Sequence, residues 1–378
     1  MRVCYFGTYR QEYSRNVIAI DGLRANSVDV VECHVPLWSG IEDRVDKASG
    51  GWRSPRFLAR VLASYARLLR AYRQVGPYDV LMLGYPGYLD AFAAWPLARL
   101  ARKPLVLDVF MSIYLISEER GLTAQSPFTG SLIKAVEKLA CRLPDLLISD
   151  TAEYVRFYGT LHGLAPERFR LVPTGADDRI YRPAPGPSII DGTCRVVYYG
   201  TFIPNHGTLT IVQAAHLLAD ERHIHFDLIG DGPDRAEAES FVQEFGLSNV
   251  SFRNWMSPTD LSARVARADI CLGVFGTTPQ SLMTIQNKIY EGLAMARPVI
   301  SGDSPTVRSA LTHGEHIWLC ERADPAALAN AIRTVSADRG LQQRLSQQGH
   351  DLFRARYSVL AIGRRLANHL EAVSAGER

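Results

Sequence analysis

The sequence predicts an α/β protein built from two parallel sheets. Two observations carry this prediction. Short apolar runs of strand length alternate with helical patterns, and the alternation restarts after a proline-rich bridge, YRPAPGP at 181–187. Strands that alternate with helices form parallel sheets through right-handed crossovers. The restart favours two units over one long sheet, and 378 residues are enough for two domains of ordinary size.

The individual elements are predicted in chain order from these patterns. Strands are expected at 2–7, 28–35, 78–85, 103–110, 145–150 and 169–175, and then at 194–200, 225–232, 249–255, 268–275, 298–303 and 316–320. Helices between them are expected at 57–74, 131–142, 207–219, 234–246, 287–296 and 325–335. The stretch 354–373 is predicted to form one amphipathic helix that crosses back onto the first domain.

The predicted domains are residues 1–182 and 188–353, followed by a C-terminal helical segment at 354–378. Open parallel sheets bind ligands at the carboxyl ends of their strands. Two sheets that face each other would therefore place a ligand-binding cleft between the domains.

Composition and charge exclude several classes of protein. The formal net charge of +3 is too small for the basic face that is typical of nucleic-acid binding. The six cysteines include no C-x-x-C pair, so neither a zinc site nor a disulfide framework is indicated. The most apolar region, 81–98, contains Asp90, two glycines and two prolines and does not read as a membrane-spanning helix. With no signal-peptide pattern at the start, we expect a cytoplasmic protein without a metal or nucleic-acid partner.

Two glycine-containing turns follow strands of the second half. The first, YYGTFIPNHG at 198–207, joins a strand to a helix, an arrangement that usually cradles a phosphate. It has no lysine, and its spacing fits neither G-x-G-x-x-G nor the P-loop. The second, Gly230-Asp231-Gly232-Pro233, would let a ligand approach the backbone, but the same residues also form a generic turn.

A lysine and a glutamate share one face of the helix predicted at 287–296. Lys288 and Glu291 are three positions apart. A lysine can meet a phosphate as a point charge, and a carboxylate can accept hydrogen bonds from two hydroxyls, for instance those of a ribose. The plain alternative is a surface ion pair.

Four segments of the second half together resemble glycosyltransferase family 4, whose members have the GT-B fold of two Rossmann-like domains. These segments are VPTGADDRIYRP (172–183), YYGTFIPNHG (198–207), LIGDGPDRAEAE (228–239) and NKIYEGLAMARPVI (287–300). They match the family's linker, donor loop, glycine turn and E-x7-E helix in the same order, within a resemblance that runs from 145 to 303. The resemblance implies two doubly wound domains facing a cleft, a nucleoside-diphosphate-sugar donor of the UDP or GDP type, retention of configuration and no metal.

The resemblance also implies roles for individual residues. Glu291 would hold the donor ribose, the loop 276–284 would offer backbone N–H groups to the sugar and diphosphate, and the base would lie near 253–256. The expected donor contacts are Gly200, Thr201, His206, Gly207, Gly230, Arg253, Trp255, Ser281, Leu282, Met283, Thr284, Lys288 and Glu291.

Three positions depart from the family pattern. Met283 stands at the place of the first glutamate of the E-x7-E motif. Thr201 and His206 stand where the family has the two cations that neutralise the leaving diphosphate. Lys288 is then the best remaining cation near that site, and His206 would add a proton or a hydrogen bond.

The first half of the chain resembles the family more loosely, and it is predicted to bind the acceptor. Asp108 ends a strand and would position an acceptor hydroxyl or act as a general base, so that the predicted catalytic residues are Asp108, Lys288 and Glu291. A ladder-end aspartate is the structural alternative, and Asp150 has the same ambiguity. Arg15 follows the first strand and would approach the donor phosphates or an anionic acceptor.

A basic helical stretch at 51–76 admits two interpretations. Its arginines recur in an apolar background, as in an interfacial helix that binds an acidic membrane near 56–73. Many members of the resembled family use lipid-linked acceptors. The alternative is a solvated helix whose arginines extend along the protein surface.

The function that these features predict is a retaining glycosyltransferase that moves a sugar from a nucleoside-diphosphate donor to an acceptor hydroxyl of a saccharide, lipid-linked or small-molecule acceptor in glycan biosynthesis. A GT-B sugar-nucleotide epimerase, a phosphorylase and a non-catalytic sugar-nucleotide-binding paralogue are the alternatives.

Overall fold

The computed structural model describes residues 1–37, 54–183 and 192–376. The chain forms two compact units: unit 1 is Met1–Thr174 with Val359–Arg378, and unit 2 is Gly175–Ser358. The end of the proline-rich bridge, the predicted domain start at 188 and the first residues of the basic stretch, 51–53, lie outside the described residues.

Unit 1 contains a six-stranded parallel sheet in the order β2-β1-β3-β4-β5-β6. Its strands are β1 (Arg2–Gly7), β2 (Asp29–His34), β3 (Val80–Leu83), β4 (Leu105–Asp108), β5 (Leu146–Ser149) and β6 (Phe169–Leu171). The helices of this part of the chain are α1 (Ser14–Ala25), α2 (Pro55–Tyr72), α3 (Asp90–Ala101), α4 (Ile113–Glu119), α5 (Leu122–Gln125), α6 (Pro127–Arg142) and α7 (Ala152–His162).

Unit 2 contains a second six-stranded parallel sheet, in the order β12-β11-β10-β7-β8-β9. Its strands are β7 (Cys194–Tyr199), β8 (Ile224–Ile229), β9 (Val250–Arg253), β10 (Ile270–Leu272), β11 (Val299–Gly302) and β12 (Trp318–Cys320). Its helices are α8 (Thr208–Leu217), α9 (Arg235–Glu244), α10 (Pro258–Val265), α11 (Pro279–Met283), α12 (Asn287–Ala294), α13 (Pro305–Ala310), α14 (Pro325–Ala337) and α15 (Arg339–Arg356), and α16 (Val359–Ser374) returns the chain to unit 1.

The predicted strands are confirmed, because each strand of the two sheets overlaps one of them. Most strands are shorter than predicted, because the hydrogen bonds between neighbouring strands end before the apolar runs do. Parallel strands with both faces covered consist of continuous apolar runs. The central strand β3 follows this rule: Val80, Leu81, Met82 and Leu83 are all fully buried. Burial on both faces is therefore what makes these strands recognisable in the sequence.

The prediction of a single helix over 354–373 is wrong. The chain turns at Tyr357 and Ser358, whose N–H groups both donate to the carbonyl of Phe353, at 2.7 and 3.0 Å. The buried ring of Tyr357 packs against Tyr290, with ring centroids 4.9 Å apart. Anchoring this ring in unit 2 ends α15, and the following residues start a new helix, α16, in unit 1.

Helix α16 packs closely against α1. A Cβ atom on Gly363 would lie 2.0 Å from the carbonyl carbon and oxygen of Gly22. Two glycines facing each other allow the helix backbones to approach more closely than side chains would permit. The amphipathic pattern of α16 buries Ile362, Leu366 and Leu370 in the same unit.

We predict that Gly363→Ala destabilises the protein. The added methyl group has no space and must separate the two helices, a form of overpacking that costs about 1–3 kcal/mol. The free energy of unfolding should fall by this amount in urea titrations followed by circular dichroism. Asn368→Ala, on the exposed face of the same helix, should change it by less than about 0.5 kcal/mol. Equal effects of the two substitutions would contradict the close approach.

Candidate functional site

The candidate site is formed by three loops at the carboxyl edge of the unit 2 sheet. These loops follow β7 (200–207), β8 (230–234) and β10 (273–284). Backbone hydrogen bonds join them: Phe202 donates to the carbonyl of Asp231, and Phe275 donates to the carbonyl of His206, both at 2.9 Å. The three loops therefore form one connected surface, at the edge where open parallel sheets bind ligands.

Glycines occupy the points where these loops touch. A Cβ atom on Gly207, which has a φ of 70°, would lie 2.7 Å from the nitrogen of Gly276. A Cβ on Gly276 would lie 2.2 Å from the carbonyl oxygen of Pro204, and one on Gly230 would lie 2.0 Å from that of Gly200. In the described structure these glycines thus allow the loop backbones to lie in close contact. The sequence of one loop alone does not reveal this requirement, because the contacts are made between loops.

Helix α12 places Lys288 directly beside the β7 loop. Its side chain is 6% exposed, and its ammonium Nζ lies 3.3 Å from Nδ1 of His206 and 4.4 Å from the centre of the Tyr198 ring. A Cβ on Gly200 would lie 2.8 Å from the same Nζ. Lys288 and His206 lie 82 residues apart in the sequence, and the fold brings them together.

The hydrogen bonds of His206 indicate its protonation state. Nδ1 lies 2.6 Å from the carbonyl oxygen of Thr201, so this nitrogen is assigned the proton that it donates there. Burial, and then the neighbouring Lys288, lower the pKa of His206 well below its usual value. His206 is accordingly a neutral hydrogen-bonding group in this structure, and it does not replace the cation that the resembled family has at this position.

Lys288 and Glu291 both have pKa values moved by burial. Burial lowers the pKa of Lys288 to about 7, and the charge of Glu291 counteracts this only in part. Burial raises the pKa of Glu291 to about 7, against the hydrogen bond from Tyr199 and the charge of Lys288. An anion bound beside Lys288 would favour its charged form, so the site can gain a proton when it binds an anion.

Side-chain hydroxyl groups help to hold the β10 loop in place. Ser281 is fully buried and its hydroxyl donates to the carbonyl of Asn205 at 2.7 Å. The hydroxyl of Thr306 donates to the carbonyl of Leu282, also at 2.7 Å. The side chain of Ser281 therefore stabilises the loop. Leu282 is partly exposed, and Met283 and Thr284 lead towards α12.

The region predicted to meet the base lies at the end of β9. The Nε of Arg253 donates to Asp227 at 2.7 Å, and Arg264 pairs with the other oxygen of the same carboxylate. The indole of Trp255 is 57% exposed. The N–H of Gly230 donates to the carbonyl of Arg253 at 3.0 Å, which attaches this strand end to the β8 loop. Trp255 is thus the side chain best placed for stacking, and Arg253 is engaged within the protein.

Asp108 lies in unit 1 in a buried ion pair. Arg15 donates to both of its carboxylate oxygens, from Nε at 2.8 Å and from Nη2 at 3.1 Å, and the two side chains are 1% and 3% exposed. Nη1 of Arg15 donates to the carbonyl of Val172 at 2.6 Å. With both oxygens occupied by a guanidinium, the geometry favours the structural interpretation of Asp108 over a general base. It also removes Arg15 from the expected approach to a phosphate.

Two residues near the loops were missed in the sequence analysis. Tyr198 places its ring under the ammonium of Lys288. Arg322 follows β12 and donates from Nη1 to the carbonyl of Gly276, at 2.7 Å. Tyr198 lies inside a buried strand, where an aromatic residue is ordinary. Arg322 comes 46 residues after Gly276, and the only signal for it was a charged residue at the end of a strand.

The described part of the chain contains neither a candidate metal cluster nor a helix that could span a membrane. No group of three or more His, Cys, Asp and Glu side chains in residues 1–37, 54–183 and 192–376 could hold a metal ion. Over the same residues, no helix is both long and apolar enough to cross a membrane.

The chain is similar in sequence to proteins named as glycosyltransferases. Residues 193–338, which include all three loops, match the family described as "Glycosyl transferases group 1". The lipopolysaccharide core biosynthesis glycosyltransferase LpsD of Rhizobium meliloti is 27% identical over 168 residues, 44% of this chain and 46% of that protein. The chain thus matches about half the length of this relative. The alpha-D-kanosaminyltransferase of Streptomyces kanamyceticus is 25% identical over 290 residues, 73% of this chain and 72% of that protein.

Solved structures confirm the fold class. Sucrose-phosphate synthase from Thermosynechococcus elongatus superimposes with a TM-score of 0.72 over 99% of both chains, at 18% identity. The Anabaena protein HepE, solved in complex with UDP-glucose, gives a TM-score of 0.68 over 98% of this chain and 100% of its own, at 16% identity. The fold, with its two parallel six-stranded sheets, is that of GT-B glycosyltransferases. The match at 193–338 and the named relatives thus support a glycosyltransferase, and the solved structures support the GT-B fold.

We predict that Lys288→Met stabilises the protein most at low pH. The pKa of Lys288 is about 7 in the folded state against 10.5 as its ordinary value, so the unfolded state binds more protons between these values. The free-energy cost of burying the charge is therefore greatest below pH 7 and decreases as the pH rises towards 10.5. Removing the lysine should raise stability by a few kcal/mol at pH 6, on the order of what such a shift represents, and by less at pH 9.

Thermal unfolding of both proteins at pH 6, 7.5 and 9 measures this difference. Without Lys288 the pKa of Glu291 should rise further, which makes the gain in stability smaller at high pH and so leaves the direction of the prediction unchanged. Lys138→Met, in unit 1, provides a matched control whose effect should be the same at each pH. A Lys288→Met effect that does not depend on pH would show that the ammonium is not buried.

Proposed function

We propose that this protein is a retaining glycosyltransferase of family 4 that transfers a sugar from a nucleoside-diphosphate donor to an acceptor hydroxyl. The observation that carries the proposal is a buried lysine, Lys288, set among three interlocked loops at the ligand-binding edge of a parallel sheet. The matched family region spans these loops, and the relatives reported above are named as glycosyltransferases. HepE is a structural neighbour that was solved with UDP-glucose, which supports a donor of the UDP or GDP type.

The donor diphosphate is assigned to the space beside Lys288 and the start of α8. Helix α8 begins at Gly207 with no side-chain cap, so its first N–H groups remain for other acceptors. The N-terminus of a helix carries a partial positive charge that favours anions. Lys288 adds a full charge when an anion is bound, in place of the two cations that the resembled family has at Thr201 and His206.

The remainder of the donor follows along the same edge. Glu291 lies one helical turn from Lys288 and is assigned the ribose hydroxyls, which a carboxyl group can bind in either protonation state. The exposed indole of Trp255 is assigned the base, which it would hold by stacking. Backbone N–H groups of the loop 276–284 are assigned the sugar and the diphosphate.

In the reaction, the bond between the anomeric carbon and the diphosphate oxygen breaks, and the acceptor oxygen bonds to that carbon. The proton of the acceptor hydroxyl passes to the leaving diphosphate. Charge develops on the leaving diphosphate. Lys288 and the N–H groups at the start of α8 are positioned to stabilise it, which is an electrostatic contribution. Lys288 is well suited to this step because a buried charge gains more from a bound anion than an exposed one does. Asp108 has no role in this scheme, since Arg15 occupies its carboxylate.

The alternatives predict different dependence on an acceptor. An active transferase releases nucleoside diphosphate faster when its acceptor is present, an epimerase does not depend on an acceptor, and a non-catalytic paralogue releases none. A phosphorylase would need a dedicated cofactor lysine. The relatives are named as transferases, so the comparisons do not favour these alternatives.

We propose peripheral membrane contact through α2. Within this helix Leu58, Leu62 and Leu69 are 49%, 72% and 40% exposed. Arg67 and Arg70 lie on the exposed surface of the same helix, which contains no acidic residue. The leucines lie along one side of the exposed surface of the helix and the arginines along the other. This arrangement fits an anionic lipid surface, where the apolar side chains enter the acyl boundary and the arginines meet headgroups.

We predict that Glu291→Ala weakens binding of a nucleotide sugar at least tenfold. The ribose would lose both hydrogen bonds to the carboxyl group, each worth about 0.5–1.5 kcal/mol. A thermal-shift panel of UDP- and GDP-sugars identifies the donor, because a ligand that binds only the native state raises its stability. Calorimetry then gives the affinity. Glu244→Ala, an exposed glutamate of the same unit, serves as the control, and unchanged affinity in Glu291→Ala would contradict the ribose assignment.

The membrane proposal predicts flotation with anionic vesicles. The protein should float with phosphatidylglycerol-containing vesicles and not with pure phosphatidylcholine vesicles. Arg67→Glu with Arg70→Glu should reduce the bound fraction severalfold, since each basic residue near the surface contributes about 1 kcal/mol. The double variant Arg354→Glu with Arg356→Glu in α15 has the same charge change in unit 2. Equal loss in both double variants would indicate a net-charge effect and contradict docking through α2.

A further inference from the structure

A second buried cation lies beneath the β10 loop. Arg322 is 9% exposed and donates to three acceptors of the polypeptide. Its Nε bonds the carbonyl of Asp303 at 2.6 Å, and its Nη1 bonds the carbonyl of Gly276 at 2.7 Å and the hydroxyl of Ser281 at 2.9 Å. Two of these acceptors belong to the loop 273–284, so the guanidinium holds this loop from its inner side.

The surrounding chain is shaped to receive this side chain. A Cβ on Gly302 would lie 2.5 Å from Cγ of Arg322, so only glycine leaves room for the arginine stem. The next residue, Ala323, donates its N–H to the carbonyl of Phe275 at 2.9 Å. Arg322 and Ala323, which follow β12, thus both donate hydrogen bonds to carbonyls of the loop after β10.

Arg322 forms no direct ion pair in the described part of the chain, although the charge of Asp303 partly opposes the effect of burial on its pKa. Among the residues that the structure describes, no carboxylate lies within 4.0 Å of its guanidinium, and its Nη2 is buried without a partner. Burial lowers the pKa of Arg322 to about 10, which leaves the group protonated at neutral pH. A buried charge without a direct ion pair is costly to a folded protein, and the buried Nη2 of Arg322 adds an unsatisfied donor to that cost.

The direction of one peptide group connects Arg322 with the ligand side of the loop. In a trans peptide the C=O and the following N–H point in opposite directions. Because the carbonyl of Gly276 points to Arg322, the N–H of Thr277 points away from it, and Thr277 is exposed. No acceptor in the described chain receives a hydrogen bond from this N–H. It is therefore available to an oxygen outside the protein.

A series of hydrogen bonds connects Arg322 with the β7 loop. Arg322 donates to the hydroxyl of Ser281, which donates in turn to the carbonyl of Asn205. The amide of Asn205 also donates to Gln280 at 3.0 Å. Arg322 thus fixes the β10 loop relative to the loop that ends at the start of α8.

We propose that Arg322 is a positioning residue for the donor diphosphate: it turns the Gly276–Thr277 peptide so that the Thr277 N–H faces a phosphate oxygen, and it places a positive charge behind that peptide. This role rests on the proposed function of the site. It supplies part of the positive charge that Thr201 and His206 do not provide. Removing Arg322 should weaken recognition of the second phosphate and leave recognition of the nucleoside monophosphate part unchanged.

The experiment compares the dissociation constants of a nucleoside diphosphate and its monophosphate. UDP with UMP, GDP with GMP, and ADP with AMP are titrated into the wild type, and the pair with the largest diphosphate preference is kept. For Arg322→Met, which removes the charge and the hydrogen bonds, the diphosphate preference should fall at least tenfold while monophosphate affinity stays within twofold. For Arg322→Lys, which keeps the charge, the diphosphate preference should fall less. Ser281→Ala should lower the preference with Arg322 intact.

The control is Arg308→Met, which removes an exposed arginine paired with the side chain of Asp303 and should leave the preference unchanged. A folded Arg322→Met protein with the wild-type preference would overturn the proposal. If Arg322→Met does not fold, wild-type preference in both Arg322→Lys and Ser281→Ala overturns it. A wild type that prefers no diphosphate over its monophosphate would contradict the proposed function itself, which is a different result.

Discussion

The contact between loop backbones at the edge of the unit 2 sheet is the constraint on which the candidate site depends. Gly207 and Gly276 face each other with no room for a Cβ atom on either side. This contact joins the loops after β7 and β10 and sets the start of α8. The positions of Lys288 and Ser281 follow from it, because both residues contact the β7 loop that it holds. Close packing thus acts on function by fixing where charges and N–H groups lie.

The electrostatics of the site depend on burial more than on the number of cations. Lys288 and Arg322 are both buried, and both have lowered pKa values because burial disfavours their charged forms. A charge held in a low-dielectric environment interacts strongly with an incoming anion. Under the proposed function, these two groups supply positive charge to a site in which the resembled family has a pair of cations in its donor loop. The neutral His206 between the loops then contributes a hydrogen bond to Thr201 instead of a charge.

The sequence predicted the strands well because burial on both faces leaves continuous apolar runs, as at Val80–Leu83. It predicted the helix that carries Lys288 and Glu291, because helical periodicity is a local property. It did not predict the break at Tyr357, because the ring contact with Tyr290 that causes it spans 67 residues. The pairing of Arg15 with Asp108 was missed for the same reason, since these residues lie 93 positions apart.

The sequence by itself determined the alternation of strands and helices, the restart into a second unit and the residue types available at the ligand-binding edge. Only the tertiary structure decided which of those residues are free to act. Asp108 was a candidate base until the fold placed Arg15 on its carboxylate. Arg322 was an ordinary charged residue until the fold placed it under Gly276. The physical reason is that burial and long-range hydrogen bonding set the charge and orientation of a side chain, and neither is encoded in local spacing.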